Sequence, residues 1–264
     1  MADLTVRRVS FQFPDELDDI FPGDDIEGEC YLAAFSLTMP VLEPYLIRTY
    51  RALADQITDP ELARDVQHFI QQEAQHHKNH ARVNAIIHER LGSEVAAELQ
   101  ALEDRLDRDY RRYNAKKSHR FNALYAEGFE AMTCAMAVSM MERASNGDGF
   151  SRFGPWQQLW AWHAAEEIEH RTVAFGVYDH LYGGYVRRVI GSVRAQVHYG
   201  LCVARLERVL LAANGQPRRL RLPSWLKKDR RRFLATYRRG YDPGAIEPPA
   251  LVGMVLAGIP ANPA

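Results

Sequence analysis

Residues 61–80 read ELARDVQHFIQQEAQHHKNH. The block begins with apolar residues at helical spacing, becomes Glu and His in its middle, and is followed by further apolar residues at the same spacing. Because successive helical residues turn by about 100°, Glu73, His76 and His80 fall within an arc of about 60°. The stretch therefore predicts a helix that turns a carboxylate and two imidazoles toward the protein core.

A second block, WHAAEEIEH at residues 162–170, repeats this arrangement with His163, Glu167 and His170 inside a similar arc. An ionised carboxylate buried among imidazoles costs several kcal/mol unless something compensates its charge. A divalent metal ion supplies that compensation. Carboxylate oxygen and imidazole nitrogen without thiolate suit iron, manganese or zinc, and the i, i+3 spacing lets one helix present both ligands.

Two isolated acids complete a known pattern. Glu43 is the only acid between Cys30 and Asp55, and Glu130 lies in another helical segment among small and apolar residues. The order E, ExxH, E, ExxH is that of the dinuclear carboxylate sites in ferritin-like bundles. The sequence thus predicts an all-α protein, a ferritin-like four-helix bundle with accessory helices and a dinuclear metal site in its core. Glu127, one turn before Glu130, remains the alternative at that position.

Turn signals such as Asp59-Pro60, Gly92-Ser93 and Gly183-Gly184 delimit the helices. Pro40 and Pro44 fall inside the first helix, so we expect it to be kinked or interrupted around Glu43. The predicted helices span residues 28–55, 60–90, 93–115, 119–145, 155–181, 185–213 and 224–238.

Composition restricts the class of protein. Of the 264 residues, 47% are hydrophobic and 25% are charged, which are ordinary values for a globular protein. The net charge is −1, so the overall charge does not favour binding to nucleic acid. The three cysteines form no CxxC pair, which predicts a reducing compartment and no thiolate metal site. There is no secretory signal and no run of about 18 uncharged apolar residues. We therefore expect a cytoplasmic protein with no transmembrane segment.

We expect a single domain over residues 1–264. It comprises an extended acidic arm (1–27), the helical bundle (28–213), and a basic helix with a Pro- and Gly-rich tail (214–264). Residues 216–239 contain ten Lys or Arg against Asp229 alone. This segment is predicted to pair with the acidic arm, and the alternatives are docking of an acidic carrier or an acidic lipid surface. The helix at 185–213 is predicted to pack on the bundle, with a homodimer face as the alternative.

The quoted blocks carry a resemblance to a known family. Residues 61–80 and 162–178, together with LTMPVLEPYLIRTYR (37–51) and EGFEAMT (127–133), resemble the bacterial family labelled predicted metal-dependent hydrolases. The chain departs from the family pattern at two positions, as Leu42 stands where Gly is usual and Gly176 where Asp is usual. Asp179, one turn after Gly176, is the nearest replacement for that carboxylate.

The set of ligands is also similar to that of the non-haem diiron aminobenzoate N-oxygenases, in which an additional His completes four Glu and three His. This resemblance implies two iron ions, with manganese or zinc as alternatives. The metal ligands that it implies are Glu43, Glu73, His76, Glu130, His163, Glu167 and His170. His80 is expected either to support these ligands or to bind the metal occasionally. The candidate catalytic carboxylates are Glu43, Glu130 and Glu127.

Three functions follow in order of preference. The first is an O2-activating oxidase or oxygenase acting on a small organic or acyl substrate, because a helical four-Glu bundle favours oxygen activation by analogy. The second is hydrolysis by metal-activated water. The third is a non-enzymatic metal store. Neither GxSxG nor HExxH is present, so nucleophilic serine and zinc protease chemistry have little support.

Overall fold

A computed structural model describes residues 4–13, 25–145, 154–217 and 230–258. Within these ranges there is no strand, and the predicted all-α class is confirmed. Two short 3-10 turns lie at Ala54–Gln56 and Pro243–Ala245. The helices are α1 (Ile26–Leu53), α2 (Pro60–Arg90), α3 (Ser93–Lys116), α4 (His119–Ser145), α5 (Pro155–Glu169), α6 (Val173–Leu181), α7 (Tyr185–Ala213), α8 (Arg230–Ala235) and α9 (Ala250–Ala257).

Local sequence sets the boundary before α2. Asp59 Oδ1 accepts hydrogen bonds from the backbone N–H groups of Glu61 and Leu62 at 2.9 and 3.2 Å, and Pro60 opens the helix. A carboxylate at this position satisfies N–H groups that have no partner within the helix, and proline lacks the N–H that would be left unpaired. The predicted start of α2 at residue 60 is therefore confirmed.

Helix α1 runs without interruption through Pro40 and Pro44, so the predicted interruption around Glu43 is wrong, and the alternative of a kink there stays a prediction. A proline inside a helix leaves the carbonyl four residues earlier without its usual donor. A side chain of α2 supplies the donor that Pro40 lacks, since Asn84 Nδ2 donates to the Ser36 carbonyl at 2.9 Å. Helix α2 thus replaces a hydrogen bond that Pro40 removes from α1.

The predicted helix 155–181 is two helices. Helix α5 ends at Glu169, and α6 begins at Val173 after a turn. In this turn the Arg171 guanidinium donates to the Ile168 carbonyl at 2.6 Å and to the Pro243 carbonyl at 2.9 Å. Carbonyls at a helix end need donors, and Arg171 supplies one to Ile168 while its second hydrogen bond ties the turn to the distant Pro243. His170 consequently lies just beyond α5 rather than inside a helix.

The core lies between α1, α2, α4 and α5, with α3, α7 and α9 packed around them. Helices α4 and α7 approach so closely that a Cβ atom at Gly128 would lie 2.3 Å from Ser192 Cα. Only glycine permits this approach, because a real Cβ contact is never that short. The close packing of α4 on α7 also brings the residue before Gly128, Glu127, against α7.

Residues 4–13 lie along α2 as an extended arm. The Gln72 amide donates to the Thr5 carbonyl at 3.0 Å, and the Asn79 amide donates to the Val9 carbonyl at 3.1 Å. Leu4 and Phe11 are buried against the core. The arm is thus part of the packed structure. The acidic residues 14–24 lie outside the described residues, and the predicted division of the chain into arm, bundle and tail stays a prediction.

The basic segment is described only in part, since residues 218–229 lie outside the described ranges. Within the described part of the predicted helix 224–238, residues Arg230–Ala235 form α8. Within α8, Arg232 pairs with Glu142 of α4 at 2.8 Å. The proposals that this segment binds the acidic arm, an acidic carrier or a lipid surface stay predictions.

Helix α7 packs on α1 and α4 through its inner face, as predicted. Five of its apolar residues instead face outward and are 43 to 63% exposed, namely Val186, Ile190, Val193, Val197 and Leu201. Their spacing of three or four residues puts them on one side of the helix. The homodimer at this face stays a prediction.

Among the described residues, one helix is long and apolar enough to cross a membrane, the segment 26–56 that contains α1. Of its most apolar window, 72% is buried inside the protein. A buried, apolar helix is also what the core of a soluble protein contains, so a soluble protein is plausible. The cytoplasmic location stays a prediction.

Candidate metal centre

The four core helices bring the predicted polar residues into one buried cluster. Glu43 comes from α1, Glu130 from α4, and the remaining side chains from α2 and the α5 region. All are at most 4% exposed. The members of this cluster, which we call the centre, are Glu43, Glu73, His76, Glu130, His163, Glu167 and His170.

Ligand atoms within the centre form two groups. Glu43, His76 and His163 offer atoms within 4.8 Å of one another, and so do Glu73, Glu167 and His170. The Glu73 and His76 pair, which shares one ExxH motif, is therefore divided between the two groups. Glu130 adjoins the second group, with its Oε2 3.4 Å from His170 Nε2. Two groups of oxygen and nitrogen donors fit two divalent ions.

Several atoms of the centre have no hydrogen-bond partner among the described residues, although all are fully buried. Buried polar atoms are almost always paired, because losing water without a replacement costs free energy. Every one of these atoms can donate an electron pair to a cation, so a pair of ions would satisfy them together. They are both oxygens of Glu43, Oε1 of Glu73 and Glu130, Oε2 of Glu167, Nδ1 of His76 and Nε2 of His170.

The ring of His76 is oriented by Glu166. His76 Nε2 lies 3.0 Å from Glu166 Oε2, and a carboxylate can only accept, so Nε2 carries the proton. The electron pair of the ring is therefore on Nδ1, which has no hydrogen-bond partner and lies 3.7 Å from Glu73 Oε1. This carboxylate–imidazole arrangement is typical of the support behind metal-bound histidines.

A chain of hydrogen bonds orients His163 through His80. The Ser36 hydroxyl gives its only proton to Asn84 Oδ1 at 2.6 Å, so it accepts from His80 Nδ1 at 2.8 Å. His80 Nε2 must then accept, at 2.7 Å, from His163 Nδ1. This leaves the electron pair of His163 on Nε2, 3.1 Å from Glu167 Oε1. Both ring nitrogens of His80 are used, which makes it a support for His163 rather than a member of the centre.

Gln72 orients the third histidine. His170 Nδ1 lies 3.1 Å from Gln72 Oε1, an amide oxygen that accepts the ring proton. The electron pair on His170 Nε2 then faces the carboxylates of Glu73 and Glu167, each at 3.7 Å. Asp179, the sequence candidate for the carboxylate missing at position 176, is exposed.

Arg7 of the N-terminal arm holds two of these supports. Its guanidinium lies 3.2 Å from Glu166, the partner of His76, and 2.9 Å from Glu169. Glu169 in turn accepts from the Gln72 amide at 2.6 Å. Glu166 is fully buried, which fits a supporting role for it. No motif in the sequence points to Arg7.

Protonation in the centre follows from burial and neighbouring charge. Burial, followed by the charges of Glu73 and Glu167, raises the pKa of Glu43 well above its usual value. Burial and the charge of Glu167 raise the pKa of Glu130 to about 8. Burial alone would also raise the pKa of Glu167, but His170 and His163 hold that pKa well below its usual value. Without metal, Glu130 is therefore mostly protonated at neutral pH and Glu167 is ionised, while burial and neighbouring charge disfavour the ionised form of Glu43.

The structure does not bring Glu127 into the centre. Its two oxygens accept from Arg188 at 3.1 Å and from Ser192 at 2.9 Å, both on α7. One turn of α4 separates Glu127 from Glu130, and the 60° between them is enough to point the two carboxylates at different neighbours. Of the two candidates, Glu130 lies with the predicted ligands and Glu127 is an ion-pair partner of α7.

A cavity of about 270 Å³ adjoins the centre between α1, α4 and α5. Its inner end is lined by His163 and Glu167, and its outer end by the exposed residues Asp25 and Arg143. The walls between them are mainly apolar. Thr133 and Ala137, two small residues of α4, also line this cavity. The cavity gives a small molecule a path to the centre.

Replacing Arg7 with methionine is expected to weaken metal binding about 10- to 100-fold, because the supports of His76 and His170 lose their counter-charge. Metal affinity measured by competition with a chelator tests this expectation. Arg8→Met is the matched control, since Arg8 is the exposed neighbour on the same arm. Equal affinities for the two variants would show that the arm does not support the centre.

Comparison with known proteins agrees with this geometry. Residues 5–247 match a family described as predicted metal-dependent hydrolase, and this range includes the arm and every residue of the centre. No curated protein and no solved structure matches the chain significantly. The match covers far more than half of the 264 residues. The chain therefore belongs to the family of predicted metal-dependent hydrolases.

Proposed function

We propose that the protein is a dinuclear metal-dependent hydrolase acting on a small organic substrate. The observation that carries this proposal is the set of buried oxygen and nitrogen atoms that lack partners and fall into two ligand groups. The family description supports hydrolysis over the oxidase reaction that sequence analysis preferred. Bound divalent ions would lower the pKa of a coordinated water and polarise the bond to be cleaved.

The chain's own residues then have separable roles. His76, His163 and His170 present fixed electron pairs because Glu166, His80 and Gln72 bind their second ring nitrogens.

Glu43 completes the first ligand group, beside His76 and His163. Glu73 and Glu167 complete the second ligand group, beside His170. Once metal binding has displaced its proton, the Glu130 carboxylate would accept the proton of the attacking water, because its Oε1 has no partner among the described residues. The cavity walls exclude bulk water from the reacting bond.

A second candidate is O2-dependent oxidation at a diiron centre, as in a ferritin-like bundle. One specific observation favours it. Two helices each contribute a single Glu, namely Glu43 and Glu130, and two others contribute an ExxH motif, which is the arrangement of the di-iron carboxylate bundles. Iron would supply the electrons for O2, and the same seven residues would hold it.

Metal content and reactivity separate these candidates. We expect protein purified from cells grown with iron, manganese and zinc to contain about two ions per chain. Hydrolysis of short-chain and aromatic nitrophenyl esters should be lost with chelator, return with metal, and proceed equally without O2.

Consumption of O2 by the reduced iron form, with no ester hydrolysis, would identify the oxidase instead. Retained metal with neither reaction would indicate a store, and absence of metal would refute the proposal.

A further inference from the structure

Helix α7 presents an apolar row to the outside of the protein. The side chains of this row fall within an arc of about 80° and extend along about 22 Å of the helix. A continuous row of exposed apolar side chains marks an interaction surface. The row, which we call the outer stripe, consists of Val186, Ile190, Val193, Val197 and Leu201.

The charge beside the outer stripe is positive. Arg187 and Arg194 are exposed and follow one edge of the stripe, about 70° round the helix from its centre line. The only acid in the sequence of α7 is Glu207, which is buried. Asp109 of α3 offsets part of the positive charge, since its Oδ2 lies 3.5 Å from His198 Nε2. The exposed charges of α7 itself are all basic.

The opposite edge of the outer stripe is basic at its beginning. Tyr185 opens α7 about 160° round the helix from Arg187, and its hydroxyl donates to the Tyr237 carbonyl at 2.9 Å. The guanidinium of Arg239, an exposed residue, lies 5.2 Å from the centre of the Tyr185 ring. Neither Arg187 nor Arg239 forms an ion pair with a described carboxylate. Both edges therefore offer cations to an anionic partner.

A groove of about 160 Å³ between α4 and α7 adjoins the outer stripe. Phe121 and Leu124 of α4 form one wall, Ile190 of the stripe forms the other, and Arg187 and Arg194 also line the groove. The Arg194 guanidinium lies 5.0 Å from the centre of the Phe121 ring. Apolar space and guanidinium groups thus lie side by side, as do the acyl chains and the phosphate of a phospholipid.

We propose that the outer face of α7 binds an anionic lipid surface, with the outer stripe among the acyl chains and Arg187 and Arg194 at the phosphates. An apolar face bordered by basic side chains is typical of helices that lie in a membrane interface. A second copy of the chain fits this face less well. A two-fold interface places the same patch on both sides, so it would bring two basic patches together with no exposed acid of α7 between them.

Sedimentation with lipid vesicles tests the proposal, which does not depend on the proposed reaction. The purified protein with its native metal should bind phosphatidylcholine vesicles that contain about 30% phosphatidylglycerol at least about tenfold more tightly than vesicles of phosphatidylcholine alone. High salt should weaken this binding, because it screens the charges. Equal binding to the two kinds of vesicle, or no binding to either, would overturn the proposal.

A charge variant locates the basic edge. Arg187→Gln should weaken binding to the anionic vesicles about fivefold, which is the usual contribution of one basic residue near an anionic surface. Arg90→Gln is the matched control, because Arg90 is an exposed arginine of α2, and it should bind as the wild type does. An equal loss in both variants would show that the binding does not use this face.

An apolar variant tests the outer stripe. The double variant Ile190→Gln/Val197→Gln should lose at least about tenfold in affinity for the anionic vesicles. Met254→Gln is the control, at a residue of α9 that is 68% exposed. Light scattering without vesicles measures the alternative occupant. A wild-type dimer that dissociates in the double variant, together with no vesicle binding, would identify a homodimer interface and overturn the proposal, as would unchanged vesicle binding by the double variant.

Discussion

Replacing Glu73 with glutamine is expected to abolish stable metal binding. Glu73 belongs to the second ligand group, and its Oε1 lies 3.7 Å from both His76 and His170, so it touches both halves of the centre. Glutamine keeps the shape but is a far weaker ligand than a carboxylate. We expect the affinity to fall by more than about hundredfold, since even the loss of a supporting residue costs 10- to 100-fold. Metal analysis after desalting measures the loss.

Glu89→Gln is the matched control for this variant, because Glu89 is an exposed residue of the same helix. It should retain the wild-type metal content. The melting temperature of Glu73→Gln should no longer respond to chelator, and should stay within a few degrees of chelated wild type. Wild-type metal content in Glu73→Gln would show that the two ligand groups do not hold the ions.

Removal of metal is expected to make folding stability fall steeply between pH 7 and pH 9. Burial and neighbouring carboxylates raise the pKa of Glu43, and they raise the pKa of Glu130 to about 8. Burial by itself lowers the pKa of His76, but the hydrogen bond to Glu166 and the nearby carboxylate of Glu73 raise it to about 9. Glu130 and His76 are therefore mostly protonated in the metal-free folded protein at pH 7, whereas in the unfolded chain both have lost most of their protons. The raised pKa of Glu43 acts in the same direction.

The sign of the effect follows from this difference. Raising the pH from 7 to 9 removes protons mainly from the folded state, so the free energy of unfolding decreases. His163, whose pKa is lowered by burial and His76, and Glu167, whose pKa is lowered by His170 despite burial, are largely deprotonated in both states above pH 7. Their contribution to the change is therefore small. Bound metal has the opposite effect on the pH dependence of stability. Its ligands must be deprotonated, so metal binding becomes stronger as the pH rises.

The measurement is a set of melting curves with and without chelator at pH 7 and pH 9. Metal bound only to the folded state adds stability by mass action, and we expect a difference in melting temperature of about 10 °C at pH 7. This difference should be larger at pH 9. A difference that stays constant or shrinks would mean that Glu43, Glu130 and His76 do not share one buried centre.

The sequence by itself determined the helical class and most of the centre. Helical periodicity and the spacing of Glu73 and His76 need only the geometry of a single helix, and the same holds for Glu167 and His170. Because these are local properties, the chain alone could indicate which residues face the core. The isolated Glu43 stood out because no other acid occurs near it in the sequence.

Only the tertiary structure decided the features that depend on contacts between distant segments. The donor that replaces the missing N–H of Pro40 in α1 is the Asn84 side chain of α2. The choice between Glu130 and Glu127 depends on which neighbour each carboxylate meets, and α7 supplies Arg188 for Glu127.

The arm that brings Arg7 to Glu166 across 159 residues has no periodic signal in the sequence. Burial makes each of these polar contacts necessary, but partners so far apart in the chain are brought together only by the packed fold.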